Sequence, residues 1–336
     1  NNSFLYLNTV IQYISLRKGR CDMGREKWAL FIAVCSEIVF GLSFIFIKMC
    51  VDTISVFTLL SWRSITAFTA MTLCALLGIV KIDLRGKDLR PLFLLSLFQP
   101  VLYFIMETLG VRFTNASESG TLLWCVPIIT MLFSAVFLKD RPNRRQVFFM
   151  LISVAGAVMI GTMNGFTASS SAIGYLFLLV AMCSESAYAI TSQKIKNFNS
   201  AEKTYGMIIS GTVVFTGCAL IEHGVKGTLR EYITLPFHDT GFLICILYLG
   251  IGCSVVAFFC ANYAISVIGA TRRAVFAGLA TVTSIVGGVF YLGEPFSFLQ
   301  GVATVLILIG AYGVNRGGSG QKPIEKNINP AASGKS

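Results

Sequence analysis

The chain has 336 residues, 55% hydrophobic and only 13% charged. A soluble domain carries about 25% charged residues, so a water-facing globular fold is excluded and an integral membrane protein is expected. The formal net charge of +11 would suit a nucleic-acid binder, but its placement along the chain follows membrane topology instead.

The apolar stretch 4–14 is too short to span a bilayer, and no small-residue cleavage site follows it. It reads either as an interfacial helix or as upstream sequence ahead of a start at Met23. Met23-Gly24-Arg25-Glu26-Lys27 is then a cytosolic lead-in, and 1–27 forms a cytosolic N-terminal segment. Ten apolar segments follow, at 28–47, 56–80, 92–109, 119–138, 147–163, 173–192, 205–221, 241–265, 274–292 and 296–314. Each holds about 17–25 residues, enough at ~1.5 Å per residue to cross a ~30 Å hydrocarbon core. The runs do not alternate with period two, which argues against a β-barrel. The tail, 315–336, is rich in Gly, Ser, Pro and Asn and is expected to be disordered.

With the N-terminus in the cytosol, 22 of the 27 Lys and Arg fall on the inner side, including Arg272-Arg273 ahead of the ninth segment. Outer loops hold Lys48, Arg112, Lys226 and Arg230, and Arg63 lies inside a span. This asymmetry places both termini in the cytosol and makes anionic headgroups, not nucleic acid, the partner of the basic charge. The ten cysteines fall mostly inside spans with no C-x-x-C pair, and His223 and His238 share one outer loop. Neither a disulfide framework nor a metal site is expected. The absence of a Walker loop, H-E-x-x-H or G-x-S-x-G leaves no cofactor implied.

Two stretches of the chain look like copies. Cys35-Ser36-Glu37 with Ile47-Lys48 recurs as Cys183-Ser184-Glu185 with Ile195-Lys196, at an offset of 148. A further series at an offset of 154 pairs Phe104 with Phe258, Ala116 with Ala270, Leu138 with Leu292, Asp140 with Glu294, Gln146 with Gln300, and Gly156-Ala157 with Gly310-Ala311. The loop near 222–240 absorbs the difference. A repeat of five helices is odd-numbered, so its second copy enters the membrane from the opposite side. The expected fold is all-α integral membrane, with ten transmembrane helices as two inverted five-helix repeats over 28–163 and 173–314. Inversion brings Glu37 and Glu185 to the same depth, about 15 Å in at ~1.5 Å per residue. Ala33-Glu37-Gly41 and Ala181-Glu185-Ala189 put each glutamate on a small-residue face, where helices approach closely.

At these residues the chain resembles the drug/metabolite transporter superfamily, in its ten-helix EamA-type members, over about Met23–Arg316. Leu292-Gly293-Glu294-Pro295, Gln300-Gly301 and Ile309-Gly310 look like that family's closing helix pair. Leu138-Lys139-Asp140 through Gly156 looks like a diverged first copy, and Gly110 to Ala116 resembles the short outer turn before the fourth span. Glu37, Gly41, Phe44 and Lys48 also resemble the first helix of four-helix multidrug exporters, where a membrane glutamate couples to protons. Lys139-Asp140 departs from the Gly-Glu of the second copy, and Pro127 meets Thr281 rather than a proline. The resemblance implies transport of small metabolites, often outward, by alternating access between the two halves.

Buried carboxylates are costly at bilayer depth, roughly 2.5–3.5 kcal/mol on insertion scales, so Glu37 and Glu185 are the first candidates for proton coupling or substrate binding. The alternative is that each merely hydrogen-bonds across a helix contact. Arg63 and Glu107, both expected in the outer half of the membrane, read either as a bracing ion pair or, for Arg63, as the receptor of an anionic substrate group. Trp62, Tyr103, Trp124, Tyr188, Asn262 and Tyr263 are candidates to line a cavity that stacks planar or cationic substrates. Pro100 and Pro127 are expected to bend their helices. The function expected is secondary transport of small organic metabolites, amino acids or related compounds among them, by a multi-pass cell-membrane protein, as monomer or homodimer. An uncoupled facilitator and a lipid-carrier flippase remain open. No enzyme is expected, since two glutamates are the only candidate catalytic groups at depth.

Overall fold

The computed structural model describes residues 2–123, 125–137, 143–163, 169–269, 273, 276 and 278–317. Trp124, Asp140, Ala270 and the tail beyond 317 lie outside these described residues. The helices are α1 (Asn2–Val51), α2 (Val56–Leu76), α3 (Arg90–Phe113), α4 (Ala116–Phe137), α5 (Arg144–Met163), α6 (Ser169–Lys194), α7 (Ser200–Lys226), α8 (Leu229–His238), α9 (Thr240–Ile268), α10 (Gly278–Leu292) and α11 (Phe298–Gly317). Within the described residues seven of them are long and apolar enough to cross a membrane: α1 from Glu26, α2, α3, α4, α6 from Ala172, α7 and α9. α10 and the start of α11 are shorter apolar helices. Large apolar side chains such as Phe31, Leu73, Phe148, Leu176, Val213 and Phe290 face outward. Exposed apolar surface on this scale belongs against lipid.

Local chemistry sets the ends and bends. α2 stops at Leu76 rather than 80, because Gly78 at φ +72° lets the chain turn back and donate to Ala75. α7 opens on a capping box between Asn199 and Glu202 and closes on Gly227 at φ +68°. α3 is kinked at Gln99 (φ −144°, ψ 119°), where Pro100 cannot donate to the helix. α4 is interrupted around Cys125, just before Pro127, its first part ending at Leu123 and its second starting at Val126. The loop expected near 222–240 holds the short helix α8. Trp62 docks it, its indole N–H donating to Tyr232 O at 3.0 Å, while Tyr232 shares a 2.6 Å hydrogen bond with Ser61.

The helices pair as if the first five and the remaining spans were exchanged by a two-fold axis. α2 packs on α7, α4 on α10 and α5 on α11, each with its repeat equivalent. The α3–α6 contact is answered by α9–α1, and α1–α10 by α6–α4. At the α5–α11 crossing the exchange holds residue by residue. Gly156 faces Ala303 and Ile307, and Gly310 faces Phe149 and Ser153, their partners at the offset of 154.

The two halves are tied at the start of α4. The Glu294 carboxylate, in the α10–α11 connection, accepts from Ala116 N at 2.7 Å, Ser117 N at 3.0 Å and Ser117 Oγ at 2.6 Å. The two backbone N–H groups are otherwise unpaired donors of a helix N-terminus, which favours a negative charge. Farther along, Thr281 Oγ1 donates to Gly120 O at 2.7 Å. Glu294→Ala is expected to lower the melting temperature in detergent micelles, by about 1–2 kcal/mol of stability on the scale of a lost helix cap. Glu294→Gln should lose less, because one oxygen still accepts. An unchanged melting temperature for Glu294→Ala would show that the tie contributes nothing.

Candidate functional site

A cavity lies where α1, α2, α3, α4, α6 and α9 converge with the segment leading into α10. Its wall carries Glu37, Arg63, Glu107, Glu185 and Arg273 together with Gln99, Tyr103, Tyr188 and four phenylalanines. The elements that deliver these groups are repeat equivalents. Glu37 on α1 matches Glu185 on α6. Phe40 matches Tyr188, and Phe104 matches Phe258. Phe104 and Phe258 meet edge to face, with centroids 5.7 Å apart, and Phe40 stacks edgewise on Phe258 at 5.0 Å.

Arg273 sits between the two glutamates. Its Nη2 lies 2.6 Å from Glu37 Oε1, and its Nη1 donates to Glu185 Oε1 at 3.0 Å. The contact with Glu37 is a close charge contact rather than an aligned hydrogen bond. Gln99, at the kink of α3, also lines the cavity. By its place between two spans, Arg273 counts among the basic residues of an inner loop. Instead it is 8% exposed and faces the cavity. Gly269 (φ +83°) ends α9, and the Arg273 N–H donates back to Gly269 O.

Of the two readings of Arg63 and Glu107, the bracing ion pair is not formed. The Arg63 guanidinium lies over the Phe104 ring at 3.7 Å, and its Nε donates to Ser254 Oγ at 3.0 Å. Glu107 accepts from Tyr103 Oη at 2.8 Å. The one-turn spacing of Tyr103 and Glu107 on α3 lets them satisfy each other locally, and an aromatic face is a favourable seat for a guanidinium. Arg63 Nη1 and Gln99 Oε1 are buried without a protein partner.

Of the aromatic and amide candidates, Tyr103 and Tyr188 line the cavity. Tyr188 Oη donates to Asn262 Oδ1 at 2.9 Å, which also accepts from Ser192, while Asn262 Nδ2 donates to Thr204. Asn262 is thus a tie among α6, α7 and α9 behind the cavity wall. Trp62 is spent on α8, and Tyr263 packs beside Ala29 and Ala33 of α1. Sequence reasoning missed Arg273, Gln99, Phe40 and Phe44. The repeat offset was the available signal for Phe40, since it falls on Tyr188.

Five ionisable side chains with formal charge at neutral pH therefore face one cavity: Glu37, Glu107 and Glu185 against Arg63 and Arg273. With all of them ionised the cavity carries one net negative charge. Burying an uncompensated charge is costly, so this arrangement can accept one proton or one monovalent cationic group.

The EamA-like transporter family model matches the chain twice, over residues 27–162 and 172–316. An uncharacterized transporter of Bacillus subtilis, YcxC, is 35% identical over 85% of this chain and 92% of its own length. An uncharacterized transporter of Archaeoglobus fulgidus is 23% identical over 87% of this chain and 99% of its own. A solved crystal structure, 17% identical, aligns with a TM-score of 0.60 over 86% of this chain and 98% of that one, which shows a shared fold. The duplicated match and the transporter relatives make this chain a multi-pass membrane protein that belongs to the EamA-like transporter family.

Proposed function

We propose that the protein is a secondary transporter that exports a small organic metabolite across the cell membrane by alternating access, with proton antiport through Glu37 and Glu185. Counting α5, α10 and α11 with the seven longer helices gives ten crossings, five in each repeat, with the second five inverted. The paired helix contacts support that arrangement, because they map onto themselves when the repeats are exchanged. The observation that carries the transport mechanism is the odd negative charge in a cavity built jointly by both repeats. A substrate leaving the cavity at the outer face and a proton entering it from that same face keep that charge compensated, and the proton is released when the cavity opens inward. Substrates that fit are small, with a planar or apolar part for the phenylalanine walls and a polar group for the charged floor.

Glu37→Gln is expected to abolish the dependence of flux on an imposed pH gradient in proteoliposomes while substrate still exchanges across the membrane. The measurement is substrate counterflow and net flux with and without the gradient. Proton coupling that survives Glu37→Gln unchanged would remove this glutamate from the mechanism. Flux that is independent of pH in the wild type would leave an uncoupled facilitator.

A further inference from the structure

The two glutamates are already occupied, and the occupant belongs to the chain. Arg273 comes from the connection between α9 and α10, whereas Glu37 and Glu185 come from α1 and α6. Its guanidinium places one nitrogen on each carboxylate and its Cζ 5.9 Å from the Phe40 ring centroid. Carboxylates beside an aromatic face are the general recognition elements for an organic cation. Empty space adjoins this contact, under Phe104, Tyr188 and Phe258. The Arg273 Nε itself is buried without a protein partner, so the side chain fills the position incompletely.

We propose that Arg273 is a tethered stand-in for the substrate, whose ammonium or guanidinium group takes its place between Glu37 and Glu185. This deepens the transport reading and rests on it: the substrate class becomes organic cations and zwitterions. Exchange of one cation for another keeps a positive group between the two carboxylates, so it avoids the large cost of leaving them facing each other uncompensated. Arg273 therefore leaves only when a replacement arrives. Its departure frees the start of α10, while the far end of α10 stays tied to α4 through Glu294. Substrate binding and the hold on α10 are in this way linked through one side chain.

The test is binding to purified protein in detergent micelles, followed by titration calorimetry with methylguanidinium and with its neutral isostere methylurea. Wild type should bind methylguanidinium weakly, Arg273→Lys more tightly because an ammonium bridges two carboxylates poorly, and Arg273→Ala most tightly. The gain from wild type to Arg273→Ala should be about tenfold or more, the scale of one charge-assisted hydrogen bond. Adding Glu185→Gln to Arg273→Ala should cancel the gain, and methylurea should show none. Equal affinity across wild type, Arg273→Lys and Arg273→Ala overturns the proposal, as does a gain that survives Glu185→Gln or appears with methylurea. Should Arg273→Ala fail to fold, the comparison of Arg273→Lys with wild type decides alone. Absence of flux in proteoliposomes would instead overturn the transport reading and leave this binding series intact.

Discussion

Replacing Glu37 and Glu185 together by leucine is expected to cost the protein about 3–5 kcal/mol, the scale of a buried ion pair broken from one side. The reason is the cation left behind. Arg273 is 8% exposed, and these two carboxylates make its only ion pairs among the described residues. Once they are gone, the Arg63 and Arg273 charges outweigh Glu107, and the cavity changes from one net negative to one net positive charge. Leucine fills volume but offers no hydrogen-bond acceptor. Adding Arg273→Met should recover most of the loss, because a buried charged set exchanged for packed apolar side chains of similar volume is often neutral or stabilising. Melting of the double and triple variants in detergent micelles, followed by intrinsic fluorescence, checks this. A triple variant no more stable than the double would mean that the triad does not act as one charge-balanced unit. Neither variant is expected to transport, so the triple variant would recover stability without recovering flux.

The second large effect is expected at the α5–α11 crossing. A Cβ placed on Gly310 would lie 2.5 Å from Ser153 Cβ and 2.6 Å from both Phe149 O and Ser153 N. Two of those three atoms are backbone, so only separation of the helices relieves the clash. Glycine at such a crossing lets backbones approach closely in a bilayer, where no hydrophobic effect drives helices together. Gly310→Leu should therefore lose more than the typical overpacking cost of about 1–3 kcal/mol. Gly156→Leu should lose a similar amount, because its Cβ would lie 2.7 Å from Ala303 O in the reciprocal position. Gly217 on α7 has nothing within 4 Å of a Cβ, and Gly217→Leu should melt like the wild type. If Gly310→Leu and Gly217→Leu melt alike, the crossing is looser than its geometry states.

The acidic pair was legible without coordinates because repetition marks it. The same Cys-Ser-Glu triplet inside two apolar runs signals both an unusual cost and a duplicated cause. The pair Phe104 and Phe258 was legible for the same reason, and the structure sets the two rings against each other. Arg273 was hidden by a rule that usually serves well. A basic pair between two spans reads as a topology signal, and no local pattern tells a loop arginine from one that faces the bundle interior. Arg63 and Glu107 were legible as buried charges, but the ion pair that was one of their two readings does not form. Each found a nearer partner, Phe104 and Tyr103 respectively, that sequence separation alone could not rank. Glu294 stood out as part of a family-like stretch, yet its role at the N-terminus of α4 is a contact across 178 residues.

Composition and repeat spacing by themselves determined that the chain lives in a membrane, that it is duplicated, and that its two glutamates are equivalent. These properties follow from transfer free energy and from ancestry, which are written residue by residue. The tertiary structure decided which side chains turn toward one another: that an arginine bridges the glutamates, that Trp62, Asn262 and Tyr263 support the wall rather than form it, and that one carboxylate closes the start of α4. Helix rotation and the path of the connections set those meetings. Both are fixed by packing among many helices at once, so no single segment of the sequence encodes them.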